Sequence, residues 1–519
     1  MTTVWMLLLC AQEVEGAKKL WVSASQWPNA RTHETFAKDA VRLYGAENGT
    51  EEQKALAIYY TALRVMGHGG DYYQGPPGAE SAVWDSWMIF HVYPKALCEW
   101  WGWFLIDSWK AYHGNWSFDP KTAVARKVGL NSPGETPPVP NAGSHVEAAL
   151  RYKDADGVER WHLFDGNVGY FARINGRVAT PEEIKAGYPT ILTQPKDPPK
   201  PYFVLSKKHG DAESDPAFRA FLGNTYPFAY SGSQRRTKYR TDLDLRVGES
   251  LRRQWYEDGK PVICKAHKHI PILANLDGGQ KYLYPDGTPK DPYNFPVQRP
   301  YFKTYPELGL NKPFGNAYHV YEPKSPKEGV YQIRNLYPYA ESVVRGQAVG
   351  RVAVDFSLDE GKTWIETGEV EGAFAVDLGK GRWDQGLPST YNMPDRDSQF
   401  LDYTERAKFD AVRFTGFQYQ VRIRGQVSAL RFENTMQCNI GMLPTLLPGA
   451  NKITVEGEAL TAGAALQIEY AWMEGAETKT HLETARSLPH VFTIQVNEKD
   501  PLKVKCLHQT TRVVPRETK

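Results

Sequence analysis

The sequence predicts an α+β region followed by an all-β, sandwich-type region. Three observations lead there. Apolar residues recur at helical spacing in 30–66 and again after Pro94, two short strand-like runs at 146–164 are joined by a turn, and the chain beyond 325 alternates apolar and polar residues with period two. A length of 519 residues suits about three domains at roughly 150 residues each.

Taken in order, Val4–Ala11 (VWMLLLCA) has the length of an export h-region but no preceding Lys or Arg, so residues 1–20 read as a weak export signal or, alternatively, a plain N-terminal strand. The expected location is secreted or periplasmic, with the cytoplasm as the alternative. Phe36, Val41 and Leu43, then Ala55, Leu56, Tyr59 and Leu63, mark two helices, the second opened by Thr50-Glu51-Glu52-Gln53, a cap and an acidic first turn. A further helix follows Pro94 and stops near Gly114. Residues 125–134 (ARKVGLNSPG) read as a chain reversal. Val146–Tyr152 and Arg160–Phe164 form a hairpin around Asp154-Ala155-Asp156-Gly157, and 178–230 reads as helix and loop, broken by the Pro-rich 196–202. The domain organisation is therefore 21–240, an α+β domain, 241–325, a Pro/Tyr-rich connector, and 326–519, a β region of one or two modules.

Composition excludes several function classes. Hydrophobic residues make up 41% and charged ones 24%, with 62 Lys+Arg against 60 Asp+Glu, a balance of +2. A phosphate-neutralising surface needs a larger cationic excess, so no nucleic-acid partner is expected. No apolar run approaches the roughly 20 residues of a membrane-spanning helix. The 15 Trp and 29 Tyr pair flat apolar faces with polar edges, which suits sugar rings, peptide clefts and β cores alike.

Chemistry concentrates on three residues. Cys98 lies near a helix start, where unpaired N–H groups and the macrodipole favour a thiolate. His145 opens the first strand of the hairpin and Asp165 closes the second, and adjacent antiparallel strands can bring such side chains onto one face. A nucleophile, a base and a group that orients the base then follow one another along the chain.

In this the sequence resembles the transglutaminase-like superfamily, whose Cys-His-Asp core is papain-like. The resemblance rests on Cys98 in KALCEWWGWF, His145 in HVEAAL, and Trp161-His162-Leu163-Phe164-Asp165, with 47 residues from Cys to His and 20 from His to Asp. It covers roughly residues 30–175. Ala96 stands where the family has Gly, and Gly166 where it has Pro. The resemblance implies Cys98 as nucleophile, His145 as general base and Asp165 as orienting acid, in a cysteine protease or amidase that works through a thioester. Bacterial members of this fold often act as peptidases or amidases, so hydrolysis of an extracellular peptide or glycan-linked polymer is expected, with no metal and no cofactor. Trp87, His91, Tyr93, Trp100, Trp101 and Trp161 are the candidate substrate-binding residues. Ser357-x-Asp359-x-Gly361-x-Thr363-Trp364 is similar to the Asp-box hairpin of sialidase-type proteins, occurring here once.

Other features carry less. Cys438 and Cys506 could pair, and Cys264-x-x-His267-x-His269 has metal-like spacing but lacks a fourth ligand. His162 should face away from Trp161 and Asp165 by alternation. Two rival readings remain: a polysaccharide lyase or hydrolase using His145 and a tyrosine, and a catalytically dead scaffold that binds a glycan or protein.

Overall fold

A computed structural model describes residues 15–65, 67–68, 85–92, 95–96, 98–130, 145–166, 171–174, 176–185, 190–192, 225–227, 239–257, 260–261, 315–337, 339–378, 418–500 and 503–516. Strands account for 52% and helices for 18% of it. No helix among the described residues is long and apolar enough to cross a membrane. Val4–Ala11, Tyr93, and the Cys264, His267 and His269 set lie outside the described residues.

The helical part follows from local chemistry. Strand β1 (Gly16–Ala24) leads into α1 (His33–Leu43), which starts at a reciprocal cap: the Thr35 N–H donates to the Thr32 hydroxyl at 3.1 Å and the Thr32 N–H to the Thr35 hydroxyl at 3.0 Å. Its buried stripe is His33, Phe36, Ala37, Ala40 and Val41. Helix α2 (Glu51–Val65) begins where Thr50 and Gln53 exchange the same pair of bonds. Helix α3 (Ser86–Val92) is capped by Asp85, whose carboxylate accepts from the N–H groups of Trp87 and Met88. Helix α4 (Cys98–His113) packs against a four-stranded antiparallel sheet. That sheet comprises β2 (Ala125–Leu130), β3 (His145–Lys153), β4 (Glu159–Phe164) and β5 (Thr225–Pro227), in the order β5-β2-β3-β4. The segment read as a reversal at 125–134 is thus a strand for its first six residues, because Ala125, Lys127 and Val128 alternate between two buried faces.

The remaining longer strands are β6 (Leu243–Arg246), β7 (Glu249–Gln254), β8 (Gly315–Tyr321), β9 (Gly329–Arg334), β10 (Tyr339–Ser357), β11 (Ile365–Asp377), β12 (Gln418–Arg424), β13 (Val427–Cys438), β14 (Gly449–Glu456), β15 (Ala464–Glu474), β16 (Glu477–Ala485), β17 (His490–Val496) and β18 (Val504–Pro515). Ten strands form one antiparallel sheet in the order β9-β12-β10-β13-β8-β7-β18-β15-β16, with β11 added on β10. A five-stranded sheet runs β6-β1-β14-β17, with Ala459–Leu460 also on β1. The first described strand is thereby hydrogen-bonded to residues more than four hundred positions away, Trp21 lying opposite Glu456. It also runs across the 20/21 boundary. Strands β6, β7 and β8 lie within 241–325, so that connector contributes strands to both sheets.

The β10–β11 turn carries the chemistry that its residues dictate. Asp359 accepts from the Thr363 N–H at 2.8 Å and its hydroxyl at 2.6 Å, Ser357 Oγ accepts from the Gly361 N–H at 2.8 Å, and Gly361 takes φ +85°. Arg422 covers the Trp364 ring at 4.3 Å. Cys438 and Cys506 are both free and buried. The expected pairing fails on topology: β8 and β7 stand between β13 and β18, a lateral gap of roughly 14 Å at about 4.8 Å per strand, whereas a disulfide needs Cα atoms within about 7 Å.

One apolar core joins the two parts. Its seam is polar and buried. Asn439 Nδ2 donates to the carbonyls of Val65 (2.9 Å) and Phe90 (2.7 Å), its Oδ1 accepts from the Gly441 N–H, and its own N–H donates to the His91 carbonyl. The Trp27 indole donates to the Gly441 carbonyl at 3.0 Å. A Cβ at 441 would collide with the Val65 backbone, so this approach requires glycine.

Candidate functional site

Cys98 is the first residue of α4, and His145 the first of β3, where it pairs with Leu130. One helical turn past Cys98, Gly102 lies so close to β3 that a Cβ there would sit 3.3 Å from Val146 Cγ1 and 3.6 Å from the Glu147 carbonyl oxygen. Asp165 directly follows β4, and Gly166 beside it lies under Trp101, whose ring would be 2.5 Å from an added Cβ. The three positions therefore lie at the same end of the α4–sheet layer. The Gly at 166 has a steric cause: the indole of Trp101 occupies the space a larger residue would need.

Strand alternation then assigns the faces. Val146, Phe164 and Gly166 face the helices: Val146 meets Gly102, Phe164 packs on Tyr59 of α2 (5.4 Å), and Gly166 meets Trp101. Asp165, between Phe164 and Gly166, points to the opposite face. Continuing the β3–β4 register by one pair sets Glu147 opposite Asp165, so two carboxylates, each about 1% exposed, share that face at the sheet end. His145 is two residues along β3 from Glu147. The Tyr59 hydroxyl donates to the Asp165 main-chain carbonyl at 2.8 Å, tying the strand end to α2. The sequence marks Tyr59 only as a helix position and gives Glu147 no role at the site. An acidic residue in the apolar run VEAAL was the available indication for the second, while nothing local gives the first a role there.

His162 lies as alternation requires, on the helix side, stacked on Tyr152 at 3.9 Å with Nδ1 2.7 Å from the Val178 carbonyl. Trp161 is on the other face, half-buried beneath Arg126 (4.4 Å) and Arg151 (5.9 Å).

The substrate-binding set needs correction. Trp87, Trp101 and His91 are 1%, 0% and 2% exposed and are packing residues. Trp87 lies against His33 (4.2 Å), Phe104 (5.7 Å) and His91 (4.9 Å), and Trp101 packs edge-on to Phe90. Burial pushes the His91 imidazole down to about 3, reinforced by the Arg253 charge, so it is neutral at pH 7. Trp100 is half-buried against the core and keeps part of its surface. Among the described residues no cluster of three or more His, Cys, Asp or Glu side chains is arranged to hold a metal.

No protein-family model matches this chain, and no curated protein matches it significantly.

Proposed function

We propose that the chain is a cysteine-dependent amide or peptide hydrolase with Cys98 as nucleophile. What supports this reading is that the α4 start, the β3 start and the β4 end lie at one end of the layer, with Gly102 closely approaching Val146 and Glu147. In the proposed reaction His145 takes the Cys98 thiol proton, the sulfur attacks an amide carbonyl, and the C–N bond breaks as His145 passes that proton to the leaving amine. Water, deprotonated by His145, then cleaves the thioester and restores the thiol. The first N–H groups of α4 supply donors for the oxyanion. Asp165 orients His145 from the sheet face opposite α4. His145, at the strand terminus, is the position where a base can serve a helix on one face and a carboxylate on the other. The substrate is a peptide or glycan-linked polymer outside the cell, and the β region, read as sandwich modules, holds the polymer.

The test is the alkylation rate of Cys98 against pH, followed by peptide mass spectrometry in the wild-type chain and in His145→Ala, with the other cysteines as internal standards. A working pair gives a thiolate that titrates well below the ordinary value of about 8.5, a changed pH profile in His145→Ala, and an acyl-enzyme trapped with amide-derived electrophiles. A Cys98 thiol no more reactive than the others in both proteins overturns the reading. Turnover of a polysaccharide that survives Cys98→Ser but not His145→Ala would replace it with acid–base chemistry on a sugar.

A further inference from the structure

The ten-stranded sheet carries a groove of about 830 Å³ on the face formed by β7, β8, β15, β16 and β18, within the usual range for ligand sites of about 300–1,000 Å³. It lies far in sequence from Cys98 and uses none of the residues above. Its floor is a row set by register: Tyr318, Arg252, Thr510 and Glu469 stand directly opposite one another on four adjacent strands, spanning about 14 Å at the spacing of neighbouring strands.

A hydrogen-bond chain holds the floor. Arg252 Nη2 is 3.1 Å from His508 Nδ1, and His508 Nε2 is 2.8 Å from Glu469 Oε1. A guanidinium only donates, so Nδ1 accepts and Nε2 carries the proton to Glu469. Glu469, the one acid among the described lining residues, is thus engaged by a histidine. Arg252 and Arg512 have no carboxylate partner among the described residues, and Arg252 Nε is buried without a hydrogen bond. Ser250, Thr478 and Thr480 add hydroxyls that both donate and accept, the half-buried Tyr318 offers an aromatic ring, and Ala471 leaves room between His508 and Thr480.

From this arrangement we infer that the groove is a binding site for an acidic polysaccharide carrying carboxylates, a polyuronate. Unspent guanidinium donors match carboxylates in a two-pronged fashion, the hydroxyl array matches sugar hydroxyls, and the ring supplies a stacking surface. Two arginines beside one glutamate are too few cations for a nucleic-acid backbone. An extended peptide adds to an open sheet edge, whereas β7, β8, β15 and β18 are each paired on both sides. Strands paired this way also preform the site, so little ordering opposes binding.

Isothermal titration of the full chain bearing Cys98→Ala tests this with three probes: a galacturonate octamer, a neutral galactan octamer and a thymidylate octamer. The galacturonate octamer binds at least tenfold more tightly than either other probe. Arg252→Gln and the exposed Arg512→Ala each weaken it about tenfold, while Arg351→Ala, a cation exposed elsewhere on the sheet, leaves it unchanged. Arg512→Ala keeps the melting temperature of the parent, which separates loss of binding from loss of fold. Equal binding of galactan or thymidylate, no binding of galacturonate at millimolar concentration, or full affinity in both arginine variants overturns the assignment.

Discussion

The helical region and the ten-stranded sheet bury their polar groups in opposite ways. Around α1, α3 and α4 the interior is a pile of rings: Phe90 on Phe104 at 3.5 Å, Phe104 edge-on to Phe36 at 5.1 Å, and Trp87 against His33. The imidazoles there are uncharged, His33 and His91 both being pushed down to about 3 by burial. Inside the sheet, a charge is kept. Glu249 accepts from Arg246 and from His319 Nε2 at 2.6 Å, and Asn434 Nδ2 donates to His319 Nδ1 while its Oδ1 accepts from Ser342 and Tyr419. Burial alone would raise the Glu249 carboxyl, but Arg246 and His319 override it and hold it at about 2. His319, Asn434 and Ser342 stand directly opposite one another across β8, β13 and β10. Helices packed through rings tolerate small rotations, whereas a strand that slips by one residue turns its whole face over. A buried polar row penalises such slips, because every member would lose its partner.

The largest expected effect breaks this contrast at its charged end. Glu249→Gln leaves the half-buried Arg246 with only neutral acceptors, the Gln332 carbonyl among them, and costs about 4 kcal/mol, read as a fall in the urea midpoint at constant slope. An unchanged midpoint would mean the network carries no stability. Next comes the seam. Asn439→Ala strips the donors from the Val65 and Phe90 carbonyls and the acceptor from the Gly441 N–H, a loss of about 3 kcal/mol at roughly 1 kcal/mol per bond. Calorimetry should then resolve two transitions where the parent gives one, and a single transition at the parent temperature would show that the seam does not couple the regions.

Mild acid gives the smallest effect and the sharpest comparison. The folded-state pKa values of His33 and His91 lie below the ordinary 6.5, so their stabilising contribution is complete above pH 6.5 and is lost as pH falls toward about 3. At pH 5.5 each costs about 1.4 kcal/mol. Glu249, ionised down to about 2, costs nothing there; its contribution is lost only below the unfolded carboxylate range. Hydrogen exchange between pH 7.5 and 5.5, corrected for intrinsic rates, should show protection falling in α1 and α3, which carry His33 and His91, while β8 and β13 hold. A uniform fall would erase the distinction.

The sequence conveys one kind of region better than another. Helices α1, α2 and α4 and the β3–β4 hairpin are legible because their caps, spacing and turn residues are local. Helix α3 is not, since all seven of its residues are buried and an apolar run buried on every side has no period to read. That is also why Trp87 and His91, which lie on it, looked available to a substrate. The roles of β1, β6 and β7 are invisible for a different reason: their partners are remote, and register with a distant strand leaves no trace in local composition. At the candidate site, the order of Cys98, His145 and Asp165 can be read from the chain. The sheet face that Asp165 occupies cannot, because it depends on Phe164 and Gly166 meeting helices from elsewhere in the sequence.

The pairing of β1 with β14 also orders events in time. On a ribosome adding about 5–20 residues per second, residues 16–24 emerge roughly 20–90 s before 449–456, which they join edge to edge. Until then β1 offers an open edge carrying Leu20, Trp21 and Val22, all buried in the finished molecule. An unpaired edge of this kind invites association with other chains. The nascent chain is thus exposed to aggregation throughout that interval, and its need for a chaperone should be greatest before residues 449–456 emerge.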